Sequence, residues 1–240
     1  YSKLGSTQPR GCYMQDEKIG LGYIVKNDAE WLGRTLLMMR RKFNKCIVLD
    51  HCSTDGIVKV CKDNNVELYS KSWTDDFSAA RNTLLSIAES RGLDWLLMLD
   101  ADEILLDIEP IDQKYTAIAF PRYNMCSIDN YRPDLYPDKQ CRMFKLNMNY
   151  RFVNKVHECL TLNGISIWQS ETLKHSVIHI FHYCFCASKE KLWLKHHNYS
   201  LLTNNKPTLP KVPDGLVIPD LSVGVPLTVT KPCFTLPSSK

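Results

Sequence analysis

The chain has 240 residues, 44% hydrophobic and 23% charged, with 30 Lys and Arg against 26 Asp and Glu. That length accommodates one α/β domain with a sizeable core, or one domain and an appendage. A net charge of +4 is too mild for a nucleic-acid binder, no apolar stretch is long enough to span a bilayer, and no signal-peptide pattern opens the chain.

Residues 1–17 carry Gly, Ser, Pro and Gln without periodicity and read as a flexible leader. Gly20-Leu21-Gly22-Tyr23-Ile24-Val25 predicts a first strand. A polar turn follows, then a helix starting near Asp28 with Trp31, Leu32, Leu36, Leu37 and Met39 on a helical period. Cys46-Ile47-Val48-Leu49 predicts a second strand ending in Asp50, and the turn His51 to Gly56 feeds a helix through Val58 to Cys61. Val66 to Tyr69 is a third short strand, and Asp76 to Ser90 a helix with Phe77, Ala80, Leu84, Leu85 and Ala88 inward. Trp95 to Leu99 is an unbroken apolar run, the signature of a buried strand. Strands alternating with helices at this spacing predict a parallel sheet with right-handed crossovers.

After Ile104 the pattern changes. Tyr115 to Phe120, Arg142 to Leu146, Ile165 to Ile167 and Val177 to Tyr183 read as strands, with a Tyr- and Asp-rich loop from Tyr123 to Gln140. His175 and His179 alternate with apolar residues and are expected to pack in the sheet. Lys189 to Leu202 predicts a helix. Beyond residue 204, where seven of the twelve prolines lie, the chain reads as an extended tail or a linker to a further domain. The ten cysteines are scattered without a C-x-x-C pair, so they read as mostly reduced thiols in a cytoplasmic protein, free or at the cytosolic face of a membrane.

The fourth strand ends in three carboxylates, Asp100-Ala101-Asp102-Glu103. In α/β sheets ligands gather at the carboxyl ends of strands. Two aspartates one residue apart raise each other's pKa unless a cation joins them, and a hard divalent metal carrying a phosphorylated ligand is the natural one. Asp50 and the Lys26-Asn27-Asp28 loop open at the same sheet edge, where Asp50 either meets a ligand or caps its turn. No G-x-G-x-x-G turn and no G-x-x-x-x-G-K-[ST] loop is present, which weighs against a dinucleotide or P-loop site.

Four segments in order resemble the family 2 glycosyltransferases of the GT-A fold. They are Ile24-Val25-Lys26-Asn27-Asp28, Ile47 to Gly56, Trp73 to Asn82, and Leu99 to Glu103. A weaker echo runs through Gln140 to Phe144, Val156-His157-Glu158 and His182-Tyr183. The resemblance implies a mostly parallel, Rossmann-like α/β sheet flanked by helices, with a smaller mixed region on the acceptor side. It implies a nucleotide-sugar half at 18–105, an acceptor half at 106–203, and inverting transfer from a nucleotide sugar, usually a UDP-sugar. Ile24, Val25, Lys26, Asn27, Asp76, Arg81 and Ala101 would line the donor, and Asp50 would contact the base. Asp100 and Asp102 would hold Mn²⁺ or Mg²⁺, with His182 completing the metal or pyrophosphate site. The family generally has a small residue around His51-Cys52, and Gly where Cys184 stands here.

Inversion needs a base on the far face of the sugar, and the first half is committed to the donor. Glu158 is the candidate, with Asp129, Asp134 and Asp138 as rivals; its other reading is an ion pair with Lys155 or Arg151. Arg142 suits bidentate contact with a diphosphate, His157 could orient a phosphate or the base, and the Tyr123 to Tyr136 loop suits an acceptor glycan, lipid-linked saccharide or protein. The rival functions are a nucleotidyltransferase, which would carry a Gly-rich basic loop after its first strand, an aspartyl-nucleophile phosphatase, and a silent nucleotide-sugar-binding module.

Overall fold

The computed structural model describes residues 18–43 and 45–186, with positions 192, 203, 231 and 232 beyond them. The expected leader, the helix at 189–202 and the tail therefore lie outside the described residues, apart from those isolated positions.

The first half follows the predicted order: β1 (Ile19–Val25), α1 (Ala29–Met39), β2 (Lys45–Asp50), α2 (Ile57–Asp63), β3 (Glu67–Ser70), α3 (Phe77–Ser90) and β4 (Trp95–Asp100). These strands are parallel in the order β3-β2-β1-β4. Their side chains alternate between two cores. Trp95, Leu97 and Leu99 pack with α1 and α2 on one face; Leu96 and Met98 pack with α3 on the other.

Glycine at positions 20 and 22 of β1 makes room for this close fit. A Cβ on Gly22 would lie 3.1 Å from both Leu84 and Leu96. Two helices are capped by carboxylates. Asp76 accepts from the Ala79 N–H at 2.9 Å to start α3, and Asp55 reaches across from the second loop to the Ala29 N–H of α1 at 2.8 Å.

The second half supplies β5 (Glu103–Leu105), β6 (Ala117–Asn124), β7 (Asn130–Tyr131), β8 (Asp138–Lys145), β9 (Tyr150–Val153), β10 (Cys159–Leu162), β11 (Ile165–Ser166), β12 (Leu173–His175) and β13 (Ile180–His182). β8 pairs antiparallel with β4 and extends the sheet through β6 and β13 to β5, so the sheet is mixed beyond β4. β9, β10 and β11 form a separate antiparallel sheet, and β14 (Lys231–Pro232) pairs with β7.

Several expectations are corrected here. The strand expected over Val177–Tyr183 is limited to Ile180–His182, and Ile165–Ile167 shortens because Ile167 opens a 3₁₀ turn. The Tyr123–Gln140 loop contains β7, a 3₁₀ turn and the start of β8. His175 is exposed, its ring stacked on Trp168, and His179 stacks on Tyr123 with ring centroids 4.5 Å apart. Cys126 is disulfide-bonded, which corrects the expectation of a thiol there, whereas Cys46, Cys52, Cys61, Cys141, Cys159, Cys184 and Cys186 are free. Among the described residues no helix is long and apolar enough to cross a membrane.

The crowding around β1 gives a stability prediction. Gly22→Val would drive its side chain into Leu84 and Leu96, and is expected to lower the free energy of urea unfolding by about 1–3 kcal/mol.

Candidate active site

The strand register brings the acidic strand ends together. Val25 lies beside Asp50, and Ile24 beside Asp100, so β1, β2 and β4 finish at one edge. The two loops that open there are fastened to each other. The Asn27 N–H donates to Ser53 Oγ at 2.8 Å, and the Thr54 N–H donates to Asn27 Oδ1 at 2.8 Å, with Asn27 at φ 55°. Asp50 is buried, and both its oxygens accept from the Ser53 N–H, at 3.1 and 3.2 Å. It caps its turn, as its alternative reading allowed. Asp76 likewise spends a carboxylate oxygen on the α3 cap. Lys26 is exposed and sits with Nζ 5.7 Å from the centre of the Trp73 ring.

The chemistry concentrates around Asp100. Its Oδ1 accepts from Arg81 Nη2 at 3.1 Å and its Oδ2 from Arg142 Nη2 at 2.6 Å. Arg81 also donates from Nε to Glu158 Oε1 at 2.6 Å. Neither Lys155 nor Arg151 is the partner of Glu158; a buried guanidinium is. Glu158 is brought there by the clasp of α3 on β9. Asn82 exchanges hydrogen bonds with the Phe152 backbone at 2.8 and 2.9 Å, and the Phe77 N–H donates to the Lys155 carbonyl at 2.9 Å.

Behind Asp100 lies Glu103, fully buried. Its Oε1 accepts from Arg122 Nη1 at 2.7 Å and Arg142 Nη2 at 2.8 Å, and its Oε2 accepts the Asp100 N–H at 3.0 Å. Arg122 continues to Asp138, which also accepts from Asn124 at 3.0 Å. Burial alone would raise the Asp100 carboxyl; Arg142, Arg81, His182 and Arg122 together hold it well below the usual carboxylate range. Burial would raise Glu158 too, and the charge and hydrogen bond of Arg81 bring it below its ordinary value. Two guanidinium donors here, Arg81 Nη1 and Arg142 Nε, are buried without an acceptor among the described residues.

Asp102 stands on the other side of this edge, with Oδ1 3.5 Å from His182 Nε2. Because His182 Nδ1 lies 2.8 Å from Asn124 Oδ1, an acceptor, that nitrogen carries a proton. Burial works against a charged His182 ring, but Cys184 and Asp102 outweigh it and raise the group to about 9. The donor set suits a divalent cation. Asp100, Glu103 and His182 offer ligand atoms within 4.8 Å of one another, and Asp102 adds a carboxylate beside the imidazole. Glu103 holds two arginines and a backbone N–H, and Asp100 holds Arg81 and Arg142, so a cation here would compete with those arginines for either carboxylate.

Of the sequence candidates, Arg81, Asp100, Arg142 and Glu158 form one connected group, Asp102 meets His182, and Lys26, Asn27 and Asp50 share the adjoining loops. Ala101 is buried in the turn between the two aspartates. The rivals to Glu158 are engaged elsewhere: Asp129 in a turn with Ser127 and Asn130, Asp134 with Arg132, and Asp138 with Arg122. His157 is exposed at φ 54°. Glu103, Arg122 and Asn124 were missed as supports. Glu103 carried a sequence signal, as the third carboxylate of the strand-end run.

Two outcomes test this network. Glu103→Gln removes the buried charge that faces Arg122 and Arg142, and is expected to cost about 3–5 kcal/mol in chemical unfolding. His182 is raised from 6.5 to about 9 by folding, so its stabilising contribution is complete below 6.5 and fades as pH rises through 9. Unfolding in metal-free buffer at pH 6 and pH 9.5 should show that loss in the natural chain and a smaller one in His182→Asn.

Comparison with known proteins gives the family. The family model for glycosyl transferase family 2 matches residues 23–167. The glycosyltransferase SunS, from the SPbeta prophage of Bacillus subtilis, is 33% identical over 147 residues, covering 58% of this chain and 34% of SunS. An uncharacterized glycosyltransferase of Rickettsia prowazekii is 30% identical over 146 residues, covering 58% of this chain and 47% of that protein. The chain thus spans about a third to a half of the length of these relatives. Among solved structures, mannosyl-3-phosphoglycerate synthase from Rubrobacter xylanophilus overlaps 45% of this chain and 41% of its own, at 17% identity and a TM-score of 0.37, too partial an overlap to carry weight. The family match covers more than half of the sequence and spans the four ordered segments from Ile24 to Glu103: the chain belongs to glycosyl transferase family 2.

Proposed function

We propose that the protein transfers a sugar from a nucleotide diphosphate, a UDP-sugar by the motif resemblance, to a hydroxyl acceptor with inversion at the anomeric carbon. The observation that carries the reading is the Glu158–Arg81–Asp100–Arg142 chain of contacts at the edge where β1, β2 and β4 end. It supplies an ionised carboxylate, a strand-end acidic pair and two buried guanidinium donors still lacking acceptors. A diphosphate leaving group gains negative charge as the sugar departs, and donors aimed at that charge stabilise the transition state. Arg81 Nη1 and Arg142 Nε would bond its oxygens.

Mn²⁺ or Mg²⁺, held by Asp102 with Asp100 and His182, would supply Lewis-acid stabilisation of the same diphosphate. His182 must give up its Nε2 proton to ligate, so metal affinity should rise with pH. Glu158 would receive the proton of the acceptor hydroxyl; Arg81 keeps it ionised and fixes its orientation, at the cost of base strength. Asp50 and the Lys26-Asn27 loop would take the nucleoside end. The stacked rings of Tyr123, Tyr136 and His179, with Tyr136 exposed, give a surface suited to a sugar acceptor, whether glycan, lipid-linked or protein-borne. We take residues 18–203 as the catalytic unit, divided near 105 into donor and acceptor halves. The prolines after 204 would form a tail or lead to a further domain. A cytoplasmic setting suits this donor.

Calorimetric titration of UDP with Mn²⁺, then with EDTA, tests the reading. Metal-dependent binding that Asp102→Asn abolishes is expected. Binding indifferent to metal and to Asp102 would defeat the metal assignment, and no binding of UDP, GDP, dTDP or CDP would defeat the transferase. Glu158→Gln should lower kcat by about 10²–10⁴-fold while changing UDP affinity far less.

A further inference from the structure

One buried polar atom near the proposed nucleoside end has no hydrogen-bond partner among the described residues. His51 follows Asp50 at the end of β2 and is 3% exposed. Its Nδ1 lies 2.9 Å from the carbonyl oxygen of Lys71. A carbonyl only accepts, so Nδ1 carries the hydrogen and Nε2 presents a lone pair. Nε2 is buried and makes no hydrogen bond with any described residue. Burial also lowers the ring's affinity for a second proton, against the opposing pull of the Lys71 and Ser72 carbonyls and Asp50.

The surroundings of that lone pair suit a planar, polar-edged ligand. The Trp73 ring stands edge-on to His51, with centroids 5.1 Å apart and planes at 75°, and Phe77 braces Trp73 from 4.8 Å. Lys26, on the loop after β1, lies across the Trp73 ring. Lys26 is exposed and Trp73 half-buried, so these are the side chains that can give way to an incoming ring, whereas His51 is held by its backbone contact. Asp50 next door turns both carboxylate oxygens to the Ser53 N–H.

We propose that His51 reads the base of the donor nucleotide, its Nε2 accepting a ring N–H, so that the protein selects uracil, thymine or guanine over cytosine or adenine. The first three bases carry a hydrogen on the ring nitrogen of their pairing edge; cytosine and adenine carry a lone pair there, which would face that of Nε2. Trp73 supplies the stacking surface once Lys26 moves aside. The assignment rests on the nucleotide-donor reading above, and adds a specificity residue at a position where the family generally has a small one.

The test is calorimetry with UDP, dTDP, GDP, CDP and ADP, each with Mn²⁺, on the natural chain, His51→Phe and His51→Gln. The natural chain should bind its best N–H-bearing nucleotide at least tenfold more tightly than CDP and ADP. His51→Phe should lose most of that ratio, and His51→Gln, which can place an amide oxygen near the Nε2 position, should regain part of it. If His51→Phe does not fold, methylating the ring nitrogen decides instead. When UDP is the best ligand, 3-methyl-UDP should bind the natural chain at least tenfold more weakly, and UDP should shift the Nε2 resonance of His51 in ¹⁵N NMR. A preference for CDP or ADP, full discrimination retained by His51→Phe, or an unmoved resonance would overturn the role of His51 and leave the transferase standing. Failure of all five nucleotides to bind the natural chain would remove the transferase reading first, and this one with it.

Discussion

The buried carboxylate of Glu103 joins the two halves of this protein. It begins β5, directly after the strand-end aspartates, and its oxygens hold Arg122 from β6, Arg142 from β8 and the backbone N–H of Asp100. A fully buried anion without partners would be prohibitively costly, and two guanidiniums with an N–H satisfy it. Satisfying Glu103 therefore requires that β6 and β8 lie where they do, and Arg142 then reaches on to Asp100. The acidic edge of a parallel sheet thereby acquires fixed positive charge from an antiparallel extension.

That arrangement explains how closely spaced carboxylates coexist at one site. Asp100 is balanced by Arg81 and Arg142, Glu158 by Arg81, Asp138 by Arg122, and Asp102 faces the His182 ring. Each arginine touches two acids, so moving one changes the field at both. A diphosphate drawing on Arg81 would loosen its hold on Glu158, which couples occupation of the donor side to the basicity of the acceptor side. Such coupling through shared counter-charges is non-additive, and double-mutant cycles between Arg81 and Asp100 would measure it.

The parallel half was legible because each strand is a short apolar run and each helix an apolar stripe, and the acidic residues punctuate the ends. The Asp-x-Asp pair stood out for the same reason, Arg81 was singled out by the motif resemblance, and Glu158 by the need for a base outside the first half; Arg81 and Glu158 meet in the folded chain. Of the small β9–β10–β11 sheet only β11 was read as a strand; β9 escaped notice although Tyr150 and Phe152 alternate with exposed Arg151 and Val153, a period-two signal only four residues long. Asn154 and Asn163, both at positive φ, mark turns beside it. His51 could not be read at all as more than a departure from the family. Its tautomer is set by the carbonyl of Lys71, a backbone contact that no side-chain pattern announces. The pairing of Arg122 with Glu103 was hidden likewise, because it depends on β13, from much later in the sequence, inserting between β6 and β5.

The antiparallel pairing of β8 with β4 also bears on how the chain is made. When β4 leaves the ribosome its inner edge is an unpaired, wholly apolar ribbon from Trp95 to Leu99, and its partner β8 has yet to be synthesised. At roughly 5–20 residues per second the intervening segment takes several seconds to appear. Through that interval the nascent chain displays the kind of open hydrophobic strand edge that recruits other strands, until Arg142 and its strand arrive to close it.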